Sequence, residues 1–173
     1  DAEPASEFPE VYLGEASSEP ANTVFFEKRD TIVFAATHQM FGRELFFLDH
    51  RTRDVQLVAD INSDGARNPS SFPQEMTAMP NALLFVAEDI EHGAELWSTD
   101  GTQENTHILR DIFAGQAGSG PAELTLFGDD VYFRADDGTH GIELWSTDGT
   151  TDGTRMVKDI AINASSSPHE FTG

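Results

Sequence analysis

The stretch GIELWSTDGTTDGTRMVKDI, Gly141 to Ile160, nearly repeats GAELWSTDGTQENTHILRDI, Gly93 to Ile112, and ELWSTDGT is identical in both. A third, more divergent copy, GRELFFLDHRTRDVQLVADI, runs from Gly42 to Ile61. The leading glycines at 42, 93 and 141 are separated by 51 and 48 residues. The closing Asp-Ile pairs at 60, 111 and 159 keep those steps, as do Phe34, Phe85 and Phe133 ahead of each copy. Three landmarks moving together define a repeat architecture, in which each unit is one supersecondary element that cannot bury its apolar face alone.

The unit reads as β. TIVFAAT, ALLFVAED and DVYFRADD precede the glycines and are rich in residues that suit a pleated, half-buried surface. ELFFLD or ELWSTD follows, then a turn, then VQLVADI, HILRDI or RMVKDI. In the last of these Met156, Lys158 and Ile160 alternate with Val157 and Asp159, the period of a strand with two different faces. A further short strand leads each unit: TVFFEK, EMTAM and ELTLF. No stretch carries a sustained helical period.

Four short strands per unit, repeating at this period, predict an all-β chain, a β-propeller-like array of four-stranded antiparallel blades. Polar loops ending at Pro20, Pro73, Pro121 and Pro168 hand the chain from one blade to the next. The division is residues 1–22 as an N-terminal segment and first inter-blade loop, 23–72 as blade 1, 73–120 as blade 2, 121–167 as blade 3, and 168–173 as the start of a fourth. Three blades leave the ring incomplete, since propellers use about four to eight. The chain is therefore expected to be an oligomer or a fragment of a longer array. Its sticky terminal faces are expected to carry Phe46 and Leu45 at one end and Trp145 and Leu144 at the other.

Glu95-Leu96-Trp97 with Asp100-Gly101-Thr102, and Glu143-Leu144-Trp145 with Asp148-Gly149-Thr150, resemble the ELWxxDGT repeat family of secreted bacterial proteins, sometimes labelled hyalin-like. The resemblance covers roughly Thr23 to the C-terminus. The third copy keeps a second Gly-Thr at Gly153-Thr154, whereas the first has Phe46 for tryptophan and Asp49-His50-Arg51 for Asp-Gly-Thr. The resemblance implies a secreted, periplasmic or cell-surface repeat domain without an established catalytic activity.

Charge narrows the partners. The chain has 31 acidic and 10 basic residues, a formal net charge of -21. Such a surface repels nucleic acid and anionic membranes, and it favours cations, basic partners or solubility in salt. There is no cysteine, hence no disulfide framework or thiolate site, and no apolar run approaches a membrane span. DAEPASEFPE, without methionine, reads like a mature or trimmed N-terminus.

The recurring residues predict structural roles first. Glu44, Glu95 and Glu143 can accept backbone N–H bonds from a neighbouring turn and lock blade to blade. Asp60, Asp111 and Asp159 are expected to tie down the N–H groups of the following loop. Trp97, Trp145 and Phe46 share one position and are expected to pack between blades. The sharper idea is a metal site. Asp136, Asp137 and Glu143 surround a glycine-rich loop, and Glu88, Asp89, Glu91 and Glu95 surround another. Hard oxygen donors of this kind select Ca²⁺, although an EF-hand spacing is missing. His92 and His140 recur just before the glycine as loop residues, where Phe41 stands in the first unit. No nucleophile elbow, zinc-protease or phosphate-loop motif is present, and Asn163 begins a single glycosylation sequon.

Two functional classes follow. One is a non-catalytic module for binding or structural assembly, cation-stabilised if the acidic loops hold Ca²⁺, with a protein or carbohydrate at the cell surface, or other copies of itself, as partner. The alternative is part of a polysaccharide hydrolase or lyase using carboxylates in the propeller channel. Symmetry discriminates between them: an active site needs unique carboxylates, and the most regular carboxylates of this chain repeat.

Overall fold

The computed structural model describes residues 20–63, 69–162 and 164–170. Within them lie twelve strands and one single-turn 3₁₀ segment, Glu27–Arg29, with no α-helix. Blade 1 is β1 (Ala21–Phe26), β2 (Thr31–His38), β3 (Gly42–Asp49) and β4 (Val55–Ala59). Blade 2 is β5 (Gln74–Ala78), β6 (Leu83–Asp89), β7 (Gly93–Thr99) and β8 (His107–Arg110). Blade 3 is β9 (Ala122–Phe127), β10 (Asp130–Asp136), β11 (Ile142–Thr147) and β12 (Arg155–Lys158). Each sheet is an antiparallel meander in chain order. The fold is therefore all-β, three propeller-like blades in an unclosed ring. The sequon residue Asn163, most of the N-terminal segment and the last three residues lie outside the described residues.

The first strand of each blade neighbours the first strand of the next, which places β1, β5 and β9 innermost. Each carries a bulge at a residue in the left-handed region: Asn22 (φ 56°), Glu75 (φ 53°) and Glu123 (φ 60°). A bulge re-aims the side chain, here towards the following unit. Asn22 Nδ2 donates to the Pro73 carbonyl at 3.5 Å, and Glu75 Oε2 accepts from Leu124 N at 3.3 Å. Glu123 Oε2 accepts from Glu170 N at 2.5 Å, and Glu170 is itself left-handed (φ 60°). Residues 168–170 thus meet blade 3 as blade 3 meets blade 2.

Strand alternation divides the core into two slabs between the blades. The first joins Phe26, Val33, Leu45, Phe47 and Val58 of blade 1 to Leu83, Phe85, Ala87 and Trp97 of blade 2. The second joins Met79, Leu84, Leu96, Leu109 and Ile112 of blade 2 to Val131, Phe133, Ala135 and Trp145 of blade 3. Fully burying a side chain of this size contributes roughly 1.5–3 kcal/mol, so these slabs hold the array together. Phe85 and Trp97, directly opposite on β6 and β7, cover the preceding blade, as do Phe133 and Trp145. Phe34 and Phe46 form the same cross-strand pair in blade 1, their rings stacked at 6.1 Å on its other face.

This alternation corrects the terminal faces expected from sequence. Consecutive residues point opposite ways, so Leu45 and Trp145 face blade 2. Only Phe46 and Leu144 of the four belong to the outer faces.

Candidate functional site

The most regular chemistry lies where the chain leaves one blade for the next. Glu44, Glu95 and Glu143 each stand on the third strand, two residues beyond the glycine, with side chains wholly buried. Glu95 Oε1 accepts from Ser119 N (2.8 Å) and Phe113 N (3.0 Å), and Oε2 from Ser119 Oγ (2.6 Å) and Ile112 N (3.3 Å). Glu44 accepts from Ser71 N (2.9 Å), Ser71 Oγ (2.5 Å) and Ile61 N (3.3 Å). Glu143 accepts from Ser166 N (3.1 Å), Ser166 Oγ (2.5 Å) and Ile160 N (3.2 Å). One carboxylate therefore gathers both ends of each connecting loop, satisfying backbone donors that burial would otherwise orphan.

Proton affinities vary across this series. Burial pushes the Glu44 carboxyl up to about 7, against the pull of its Ser71 and Ile61 bonds, and the nearby Asp60 charge adds to the rise. Burial also raises Glu95 above the ordinary value, despite four hydrogen bonds. In Glu143 burial is still the largest influence, but the bonds from Ser166, Ile160 and Ala161 together outweigh it and leave the group lowered.

Among the described residues no loop N–H group donates to the side chains of Asp60, Asp111 or Asp159. Ile61, Ile112 and Ile160 donate to the glutamates instead, because the third strand lies beside the loop entrance. Asp60 Oδ1 and Asp159 Oδ1 are buried without a hydrogen-bond partner, and burial raises the Asp60 pKa. Asp111 and Asp159 add negative charge beside His92 and His140.

These histidines close the turn between the second and third strands. Asp89 Oδ1 accepts from Glu91 N (2.9 Å) and His92 N (2.6 Å), and its Oδ2 lies 2.8 Å from His92 Nδ1. Asp137 Oδ1 accepts from Thr139 N (2.9 Å) and His140 N (2.8 Å), with Oδ2 2.7 Å from His140 Nδ1. The aspartate hydrogen bond is the main cause that raises each histidine pKa. Blade 1 puts His38 and Phe41 in these places, with rings stacked at 4.9 Å and His38 Nδ1 accepting from Met40 N at 3.1 Å.

The Asp-Gly-Thr turns clamp each blade to its predecessor. Asp100 Oδ1 accepts from Thr102 N (3.0 Å) and Oγ1 (2.7 Å), and Asp148 repeats this with Thr150 (2.9 and 2.6 Å). Thr99 and Thr147, buried, each hold the glycine N–H and a later threonine hydroxyl. Gly101 (φ 93°) lies so close to Phe47 and Arg29 of blade 1 that a Cβ would stand 2.5 Å from the Phe47 ring. Arg29 Nε donates to the Asp100 carbonyl at 2.6 Å. Between blades 2 and 3, Arg110 Nη1 donates to Thr154 O (2.6 Å) and Thr151 Oγ1 to Leu109 O (2.8 Å). The divergent first copy keeps the turn's acceptor, since Asp49 Oδ1 takes Arg51 N (2.8 Å) and Thr52 N (3.1 Å).

Asp136, Asp137 and Glu143 do not converge. Asp136 binds Gly138 N at 2.8 Å, Asp137 its own turn, and Glu143 the distant loop. Among the described residues no group of three or more His, Asp or Glu side chains is set out to hold a metal ion. Of Glu88, Asp89, Glu91 and Glu95, Asp89 holds the histidine turn and Glu95 the loop seam, while Glu88 and Glu91 are exposed. Where the inner strands end, Phe25, Glu27, Lys28, Ala78, Met79, Pro80 and Leu126 line an open cleft of about 580 Å³, with a single carboxylate. Sequence reasoning missed Ser71, Ser119 and Ser166, although each stands two residues before the loop proline.

No family model matches the chain, and no curated protein matches it.

Proposed function

We propose that the chain is a non-catalytic, extracellular or cell-surface repeat module of a β-propeller, serving binding or structural assembly with a protein or carbohydrate. One observation carries this reading. The regular carboxylates recur blade by blade, and Glu44, Glu95 and Glu143 are buried and engaged by loop donors. Catalysis needs a group once, in reach of substrate. The cleft at the inner strand ends offers Glu27 as its only carboxylate, whereas glycoside hydrolysis by acid and base uses two. The extracellular setting is supported by the ELWxxDGT resemblance and the acidic composition.

The test is incubation with a panel of neutral and acidic polysaccharides, scoring retention on the polymer and new chain ends separately. Retention, or no interaction, without new ends agrees with the module. Chain scission that disappears in Glu27→Gln would overturn it.

A further inference from the structure

We propose that a cleft at the turn end of blade 1, beside the seam with blade 2, binds one pyranose unit of a neutral sugar. This rests on the binding-module reading above and names a ligand and a place for it. The cleft measures about 270 Å³, and among the described residues Phe47 is its only apolar lining residue; the others are Arg29, Thr31, Asp49, Thr52, Asp54 and Gln56. Strand register sets Thr31 opposite Asp49, Val33 opposite Phe47, and Phe47 opposite Gln56. Val33 and Phe47 belong to the slab under blade 2, so Thr31, Asp49 and Gln56 project from that same face. Thr31 is 9% exposed, and its Oγ1 is buried without a hydrogen-bond partner. A hydroxyl left so costs stability that a ligand hydroxyl would recover.

Comparison between blades shows what leaves the cleft unsatisfied. In blade 2, Asp100 Oδ1 accepts from Thr102, and Oδ2 accepts from Asn105 Nδ2 at 3.2 Å. Blade 1 has Asp54 in the place of Asn105, and a carboxylate cannot donate. Asp49 Oδ1 keeps its bonds from Arg51 N and Thr52 N, and Oδ2 is left over. Thr31 likewise stands where blades 2 and 3 have Ala82 and Asp130, so the combination occurs once in the three blades. Charge then selects the ligand. The Arg29 guanidinium lies over the Phe47 ring at 5.9 Å and engages the Asp100 carbonyl through Nε, with the rest of its donor fork at the cleft. Arg51, on the same turn as Asp49, is directed to Asp30. A guanidinium beside two aspartates disfavours a free cation and a free anion alike. The two carboxylates accept from hydroxyls, the guanidinium donates to them, and Thr31 and Gln56 do both. Neighbouring hydroxyls on a pyranose ring match that mixture. The volume falls just below the roughly 300–1,000 Å³ of pockets for drug-sized ligands, which gives room for one ring. Its turn bonds also hold Asp49 below the usual carboxylate range, so it accepts hydrogen bonds and supplies no proton for cleavage.

Amide NMR of the isotope-labelled whole chain tests this, titrated with the methyl glycosides of glucose, galactose, mannose and N-acetylglucosamine. Glucuronate and calcium chloride serve as charged probes. Saturable shifts at the amides of Thr31, Asp49, Thr52 and Gln56 are expected with at least one neutral glycoside, weaker ones with glucuronate and none with calcium. Thr31→Val removes the unpartnered hydroxyl at nearly constant shape, so binding should weaken about tenfold while the melting temperature holds or rises. Asp54→Asn restores the donor that blade 2 uses and should abolish binding without loss of stability. The absence of saturable shifts across the neutral panel overturns the proposal. So do shifts confined to other residues, calcium shifts at this cleft, tighter binding of glucuronate, or an affinity unchanged in Thr31→Val. Retention on a polysaccharide with shifts elsewhere would refute this cleft and leave the module reading standing, whereas chain scission would sink the module reading whatever the shifts show.

Discussion

Glu44 and Glu143 receive the same three donors, a serine N–H, its hydroxyl and an isoleucine N–H, in blades 1 and 3. Their carboxyls nonetheless move in opposite directions, Glu44 up to about 7 and Glu143 below its ordinary value. These three bonds are common to both, with Ala161 adding a further one to Glu143, so the rest of the difference lies in what surrounds them. Blade 2 packs over the loop that Glu44 gathers, and no described blade follows the loop of Glu143. Taking water away from a carboxylate disfavours its charge. The contrast teaches that the repeat encodes the bonds, while position in the array sets the electrostatics.

Removing the carboxylate is the strongest way to break this comparison. Glu95→Ala leaves Ser119 N, Ser119 Oγ, Phe113 N and Ile112 N without their acceptor between two blades. At 1–3 kcal/mol for a buried unsatisfied group, partly relieved by water, the expected loss is about 4 kcal/mol in urea unfolding. Glu143→Ala should lose about half as much, because water reaches its loop more readily. Equal losses would show that the next blade does not matter.

Next in size comes the turn ahead of the glutamate. A Cβ at Gly93 (φ 68°) would stand 2.5 Å from Gln116 O and 2.8 Å from Gly118 N, both backbone atoms of the loop that Glu95 gathers. Gly115 (φ 98°) has open space around the same position. Left-handed strain alone costs about 1–2 kcal/mol, so Gly115→Ala should stay near 1 and Gly93→Ala should exceed 2 kcal/mol. Similar values for the two would deny that Gly93 is pinned by the loop.

Much of this was legible in the residues. The repeated Gly, Phe and Asp-Ile landmarks carry the twelve strands and their order, because period and β propensity are local properties. What was less legible is non-local. Alternation is visible at Met156–Ile160, but which blade Leu45 and Trp145 face depends on which neighbour is present. Ser71, Ser119 and Ser166 precede the loop prolines at fixed distance, yet a serine in a polar loop looks like turn chemistry until its glutamate partner is known. Asp136, Asp137 and Glu143 are close in sequence and engaged in different places, because hydrogen bonds to separate turns and loops decide where a side chain goes.

Acidity sharpens the comparison more gently. A carboxyl whose folded pKa lies above its unfolded one binds its proton more tightly in the fold. Glu44, raised from 4.5 to about 7, therefore adds stability that is complete below 4.5 and lost as pH rises through about 7. Raised His92 and His140 act in the same sense, adding stability below 6.5 that is lost as pH rises through their folded values. Asp100, Asp137, Asp148 and Glu143 are lowered, and theirs is lost only as pH falls below the ordinary carboxylate range. The melting temperature should rise from about pH 8 to about pH 5 and then fall. Glu44→Gln should flatten the first limb, and Glu143→Gln should leave it unchanged.

The smallest expected effect concerns divalent cations. Asp136 and Asp137 hold their own turn N–H groups, and Glu143 holds a loop on the far side of its strand, so no oxygen cage is assembled from them. A Ca²⁺ ion would have to displace those donors, whereas six to eight oxygens turned towards one point make a site. With a net charge of -21, cations still gather diffusely and relieve self-repulsion, an effect that ionic strength alone reproduces. Exchange of Ca²⁺ for chelator at constant ionic strength should therefore leave the melting temperature unchanged, and Asp137→Asn should not alter that indifference. A saturable rise with free Ca²⁺, following mass action, would instead show that the acidic turns reorganise around an ion. If that rise persisted in Asp137→Asn, the ion would belong to another set of carboxylates, and the Asp–His turns would keep their purely structural role.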